Sequence, residues 1–289
     1  MKLESQNYGK QRVRVMKVLR DAAGDASSEP GGPHHEVKEL EVGVRLEGDF
    51  GLSYTSADNS KVVPTDTMKN TVHVLAHRHL GVDTEPFALL LAEHFLRSYD
   101  HVGRVSLATR ERRWNRMVVD GKPHGHSFVG DAARPTVRLV AERGGRPELE
   151  SGIEDLLILK STRSGFAGFP RDAYTTLPDA DDRILSTLLA ARWRFREHPA
   201  SFQATNQGVL AALLEVFAGR YSPSVQATIW EMAEAAFAAC PEIDRVTLAL
   251  PNKHYLPVDL SPFGVDGAGV SFLPTDEPHG QIEATVSRA

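Results

Sequence analysis

A chain of 289 residues, 41% hydrophobic and 25% charged, is long enough for two cores of ordinary size and has the balance of a globular protein. Its formal charge of −5 argues against a general nucleic-acid binder, which needs a basic face to displace counterions. Cys240 is the only cysteine, which excludes an intrachain disulfide and a Cys-based zinc cluster and suits a reducing compartment.

The opening MKLESQNYGKQRVRV lacks an apolar signal core. Strand character follows in RVRVMKVLRD (12–21) and KELEVGVRLEG (38–48), with a Gly/Pro/Ser-rich connection, AAGDASSEPGGPHH (22–35), between them. Helical periodicity sets in at TDTMKNTVHVLAHRHL (65–80), where Val72, Leu75, Ala76 and His79 share a face. A second helix is expected over 84–100, with Thr84 as a possible cap, Pro86 in the first turn and Phe87, Leu90, Leu91 and Phe95 at core spacing. The ALLLA run at 88–92 is too short to cross a bilayer.

RVSLAT (104–109) reads as a strand, and RERRWNR (110–116) as a solvated or subunit-contacting ribbon. Asp120-Gly121 fits a hairpin turn between the last two strands of this half, and HSFVGDAARPTVRLV (126–140) continues in strand character. ERGGRPELESG (142–152) is a loop-like joint near the midpoint.

The second half repeats the order. Val209, Leu210, Leu213 and Phe217 mark one helix, and Ile229, Met232, Ala233 and Ala236 mark the next, over 225–240. RVTLAL (245–250) then echoes RVSLAT after the helix pair. We read a tandem duplication of an α+β unit of roughly 140 residues. The units are placed at 8–145 and 151–289, each an antiparallel four-stranded sheet with two helices packed on one face.

Beyond RVTLAL, the alternation Val246, Leu248, Leu250, Asn252, His254, Leu256, Val258, Leu260 would put an amide and an imidazole on an apolar face if pairing continued. Pro251 interrupts it, so a wetted strand end or a functional site is expected there. SPFGVDGAG (261–269) breaks up the remainder.

Thr65 and Asp66 open a helix after Pro64 and suit two roles: capping, or flanking free N–H groups that bind an anion. Arg183 and Gln226 could each make paired hydrogen bonds to a planar heterocycle, and Phe166 could stack on one. Each also has an ordinary surface or core reading. The twelve histidines show no zinc spacing, so no protein-bound metal is expected. No GxSxG or GxGxxG motif occurs.

Taken together, YGK (8–10), ADNS (57–60), PTDTMKNT (64–71), DGKPHGHSF (120–128), GFPRDAYTTL (168–177), DRILST (182–187), SVQATIWEMAE (224–234), LPNKHY (250–255) and the closing PTDEPHGQIEATV resemble the urate oxidase (uricase) family. The resemblance implies two tunnelling-fold (T-fold) units in tandem, a homotetramer, and urate and dioxygen as substrates. It implies oxidation of urate to 5-hydroxyisourate with release of hydrogen peroxide, and no cofactor. Carried over by motif, Arg183, Gln226 and the backbone of Val225 hold the purine edges and Phe166 stacks under the ring. Lys10, Thr65 and His254 handle protons, Asn252 stands at the dioxygen or water position, and Thr65 and Asp66 face urate bound by a neighbouring subunit. Ser287-Arg288-Ala289 departs from the peroxisomal tripeptide of eukaryotic members, so a bacterial cytoplasmic protein with no membrane partner is expected. The alternatives are another T-fold enzyme acting on purines or pterins, and a non-catalytic purine-binding protein. Commonly required zinc in the former, and Lys10, Thr65, Asn252 and His254 here, weigh against them.

Overall fold

The computed structural model describes residues 1–20, 34–267 and 269–288. Apart from His34 and His35, the expected connection at 22–35 falls outside them. The chain divides into two compact units, Met1–Gly152 and Ile153–Ala289.

The first unit opens with β1 (Tyr8–Leu19) and β2 (Glu36–Gly48), a short helix α1 (Gly51–Thr55), and helices α2 (Thr65–His79) and α3 (Glu85–Ser98). It continues through β3 (Val102–Arg112), β4 (Trp114–Val119), β5 (Lys122–Gly130) and β6 (Arg134–Glu142). Its sheet runs β1-β2-β3-β6, antiparallel throughout.

Period-two burial explains the sheet. Leu40, Val42, Val44 and Leu46 alternate along β2 and are all essentially inaccessible, as are Val105 on β3 and Leu139 on β6. Period-3.6 burial explains the helices: Met68, Val72 and Ala76 of α2, and Phe87, Leu91 and Phe95 of α3, face inward. Burying each large side chain stabilises the fold by roughly 1.5–3 kcal/mol before entropy is counted. His79 is exposed, because Leu80 completes the inward stripe instead.

Two local expectations change. Thr84 occupies the cap position of α3, but its side chain makes no cap bond, and its hydroxyl lies 3.4 Å from Glu111 Oε2 instead. Asp120 and Gly121, with φ of 50° and 75°, do form the hairpin turn, but it joins β4 to β5 in a separate two-stranded ribbon. The last strand of the unit is β6, which returns to pair with β3. Arg116 anchors that ribbon, donating to the carbonyls of His124, Gly125 and His35.

A strand β7 (Glu148–Lys160) starts earlier than the loop-like composition of 142–152 suggested, and the division between the units falls within it. The second unit then has β8 (Leu185–Phe195), α4 (Phe202–Gly219), α5 (Val225–Ala239) and β9 (Ile243–Ala249). The short strands β10 (Asn252–Lys253), β11 (Tyr255–Pro257) and β12 (Phe272–Pro274) follow, and β13 (Glu283–Ser287) ends it. Its sheet order is β7-β8-β9-β13, with β10 also paired to β8.

Both helices start on a serine cap: Ser201 accepts from Ala204 N–H at 3.2 Å, and Ser224 from Ala227 N–H at 3.1 Å. Val209, Leu213 and Phe217 of α4, and Ile229, Met232, Ala233 and Ala236 of α5, form the inner stripes. RVSLAT and RVTLAL lie on β3 and β9, each the strand that follows its helix pair.

The apolar alternation after β9 does not continue as one strand. Val246, Leu248 and Leu250 are fully buried, whereas Leu256 and Val258 are 50% and 37% exposed. Pro251 cannot donate to the ladder, and after Lys253 the chain leaves β8 to pair with β12. Changing partner resets which face is inside.

Candidate active site

In the first unit, the sequence places Lys10 on β1 just before a β-bulge. Register shifts between Lys10 and Val13, and Arg12 adopts φ of 58°. An extra residue in one strand re-aims the side chains beside it. Gly9 lies so close to β2 that a Cβ there would collide with the Val44 carbonyl. Only glycine lets β1 approach this closely while delivering Lys10 at the irregularity.

α2 begins at Thr65 without a side-chain cap, since Pro64 occupies the cap position. Thr65 and Asp66 are therefore first-turn helical residues, and neither acts as the cap. Both are exposed. The Asp66 carboxylate is held below its ordinary range by bonding to Lys69, with smaller help from Asn70 and from the charge on Lys10. Lys10 is thus close enough to α2 to influence Asp66. One bond fixes this arrangement: Val63 N–H donates to the Tyr8 hydroxyl at 2.7 Å. It ties β1, two residues before Lys10, to the turn two residues before Thr65. Tyr8 packs edge-on against Phe50, and burial raises its pKa.

In the second unit, Phe166 is half-buried and bridges Ala180 by two backbone bonds of 2.7 and 3.0 Å. The Phe169 ring stacks against it at 4.9 Å and 9°. Arg183 lies over the Phe166 ring, with its guanidinium carbon 5.4 Å from the centroid. Burial lowers the Arg183 pKa, and no carboxylate among the described residues pairs with it. A guanidinium over a ring face makes a cation–π contact.

The start of α5 lies beside this pair. Gly165 N–H donates to the Ser222 carbonyl at 2.8 Å, and Ser222 N–H to the Arg163 carbonyl at 2.9 Å. Asp182 holds the same segment by accepting from Arg163 N–H and the Thr162 hydroxyl, both at 2.7 Å. At α5 itself, the Ser224 hydroxyl serves Ala227, leaving the first helical N–H groups, those of Val225 and Gln226, directed off the helix end. Val225 is buried and Gln226 exposed, so the backbone of one and the amide of the other are the available groups.

Asn252 is in register with Thr187 of β8, and its N–H donates to the Gly280 carbonyl at 2.7 Å. His254 stands where the chain changes partner, half-buried, with its carbonyl taking two bonds from Thr275 at 2.9 and 3.0 Å. The structure therefore groups Lys10, Thr65 and Asp66 in the first unit, and Phe166 and Arg183 beside Val225 and Gln226 in the second.

Sequence reasoning missed three supporting residues. Tyr8 was legible only as part of a motif. Gly165 leaves no room for a Cβ, which would strike the Tyr221 hydroxyl and the Ala180 carbonyl. Tyr221 donates to the Asp181 carbonyl at 2.9 Å and so fixes the turn before Arg183. Their roles depend on contacts between segments distant in the chain.

Two α+β units, each an antiparallel sheet with a helix pair, define a tandem tunnelling-fold protein. Residues 6–139 and 149–283 match the sequence profile of the uricase family. A uricase from Arthrobacter globiformis is 40% identical over 99% of this chain and 90% of its own length. The Uricase-2 isozyme 2 of Glycine max is 41% identical over 98% of this chain and 94% of its own. The crystal structure of the Arthrobacter globiformis uricase superposes with a TM-score of 0.90, covering all of this chain and 95% of the other. The chain belongs to the uricase family.

Proposed function

We propose that the protein oxidises urate with dioxygen and water to 5-hydroxyisourate and hydrogen peroxide, without a metal or organic cofactor. The observation that carries this reading is Arg183, half-buried over Phe166 with no carboxylate partner among the described residues. Urate is planar and anionic near neutral pH. It would stack on Phe166, accept paired bonds from the Arg183 fork, and exchange bonds with the Gln226 amide and the Val225 N–H.

Lys10 and Thr65 would remove a proton from bound urate, and His254 would help relay it. Asn252 would donate from its amide to dioxygen, peroxide or water above the ring. Loss of two electrons and two protons from urate to dioxygen gives hydrogen peroxide, and water then adds to the oxidised purine. These roles rest on the family motifs and on the grouping of Lys10 with Thr65 and Asp66.

The protein would act as a homotetramer in which Lys10, Thr65, Asp66 and His254 meet urate held by a neighbouring subunit. Extensive exposed apolar side chains, among them Val118 at 67% and Leu157 at 58%, favour association. No helix among the described residues is long and apolar enough to cross a membrane. A cytoplasmic location is proposed from the single, buried cysteine.

The test is the disappearance of urate's ultraviolet absorbance with matched oxygen consumption, using chelator-treated protein. Activity that vanishes with chelation and returns with a metal would reject the cofactor-free reading. Urate left unchanged by untreated protein would reject the activity itself.

A further inference from the structure

β8 carries an inward stripe at Leu185, Thr187, Leu189, Ala191 and Trp193, each 2% exposed or less. Thr187 is the one polar member. Its hydroxyl is buried and has no hydrogen-bond partner among the described residues. Valine would fill the same space without stranding a hydroxyl away from water. Packing alone does not account for threonine here.

The register supplies a reason. Thr187 lies directly opposite Asn252. The Asn252 N–H donates to Gly280 on its other side, so its backbone points away from β8. That makes Asn252 and Thr187 a non-hydrogen-bonded antiparallel pair, the kind whose side chains approach most closely. Both belong to the helix-facing side, since Asn252 continues the parity of the buried Val246, Leu248 and Leu250. On the other flank Asn252 adjoins Gly280, where even a Cβ would stand at an ordinary contact distance of 3.7 Å from the Asn252 Cβ.

We propose that Thr187 is a positioning residue for Asn252. Its hydroxyl donates to the amide Oδ1 when that amide turns toward β8, which directs the NH2 group at the reacting oxygen species. An asparagine amide can otherwise flip end for end and present its oxygen as a second acceptor. A hydroxyl fixed on the sheet selects one orientation. This inference rests on the role given to Asn252 under the proposed function.

The experiment compares Thr187→Val, Thr187→Ser, Asn252→Leu and the Thr187→Val/Asn252→Leu double variant as full-length assembled protein. Steady-state urate oxidation, xanthine binding and thermal unfolding are read for each. Thr187→Val should lower kcat by roughly tenfold, with xanthine affinity within about twofold of wild type and an unfolding temperature no lower. Thr187→Ser should restore most of the rate. In the Asn252→Leu background, Thr187→Val should change kcat by less than about twofold, because its target is already gone. Wild-type kcat in Thr187→Val, beside a crippled Asn252→Leu, would overturn the inference alone. Wild-type kcat in Asn252→Leu would overturn the role of Asn252 and the inference with it. A parallel fall of kcat, xanthine affinity and unfolding temperature in Thr187→Val, not rescued by serine, would mark a purely structural residue and overturn the inference.

Discussion

The hydroxyl of Tyr8 accepts the backbone N–H of Val63 at 2.7 Å, and so joins the strand that carries Lys10 to the turn that launches Thr65. The bond crosses 55 positions of sequence and is part-buried. It couples stability to geometry at one of the two candidate clusters.

Tyr8→Phe keeps the ring against Phe50 and removes only the acceptor. Stranding a part-buried N–H costs about 1–3 kcal/mol, so the unfolding temperature should fall by several degrees. Urate turnover should fall with it, in the same direction as but less than in Lys10→Met, while xanthine binding is kept. Calorimetry and steady-state kinetics check this. Unchanged turnover in Lys10→Met would remove that amine from the mechanism.

Arg183→Ala should chiefly damage binding of urate and xanthine. A charged hydrogen bond contributes roughly 1.5–3 kcal/mol, so affinity should fall at least about tenfold. Arg183→Lys should recover little, because an ammonium cannot form the planar fork. Folding stability should hold or rise, since an unpaired, half-buried cation is removed. Titration of xanthine against the variants decides it, and wild-type affinity would place Arg183 outside the binding site.

Mixed assemblies test the sharing of sites between subunits. Thr65→Ala and Arg183→Ala chains should each be poorly active alone. Unfolded and refolded together, they should regain activity, because some interfaces would then pair an intact Thr65 with an intact Arg183. A mixture no more active than the sum of its parts, shown by mass measurement to contain mixed tetramers, would rule out shared sites.

Asp244 on β9 receives two bonds from Arg194 on β8, at 2.8 and 2.7 Å. This bidentate contact is the main reason its carboxyl is held below the ordinary range. A folded pKa below the unfolded one means the stabilisation is complete above the unfolded value, near 4, and is lost as pH falls through the folded value. Asp244→Asn should therefore lower stability at pH 7 by up to about 1 kcal/mol, a shift of some 2–4 °C. The difference from wild type should shrink below about pH 4 and disappear in stronger acid. Thermal unfolding of both proteins across that range measures it.

Cys240 should resist thiol reagents in the folded protein. It is 3% exposed, and burial, reinforced by its hydrogen bond to Glu242 at 3.2 Å, pushes its pKa up to about 11. Almost no thiolate exists at pH 8. Alkylation should proceed only after denaturation, and stoichiometric labelling of native protein would contradict this placement.

Sequence by itself determined the local structure. Helices α2 to α5, strands such as β2, β3 and β9, and the Asp120-Gly121 turn follow from side-chain spacing and backbone preference, which act over a few residues. It also carried the ordered motifs that mark the family, since these are written in residue identity. Tertiary structure decided what depends on partners. It showed that β6 rather than the ribbon completes the first sheet, because only pairing selects a strand's neighbour. It moved Thr65 and Asp66 from the cap into the first helical turn, because Pro64 takes the cap position. It broke the alternating run after Lys253, because β10 pairs with β8 and β11 with β12. Above all, it set Arg183 over Phe166 and Asn252 opposite Thr187, contacts between segments whose separation along the chain leaves no local trace in either one.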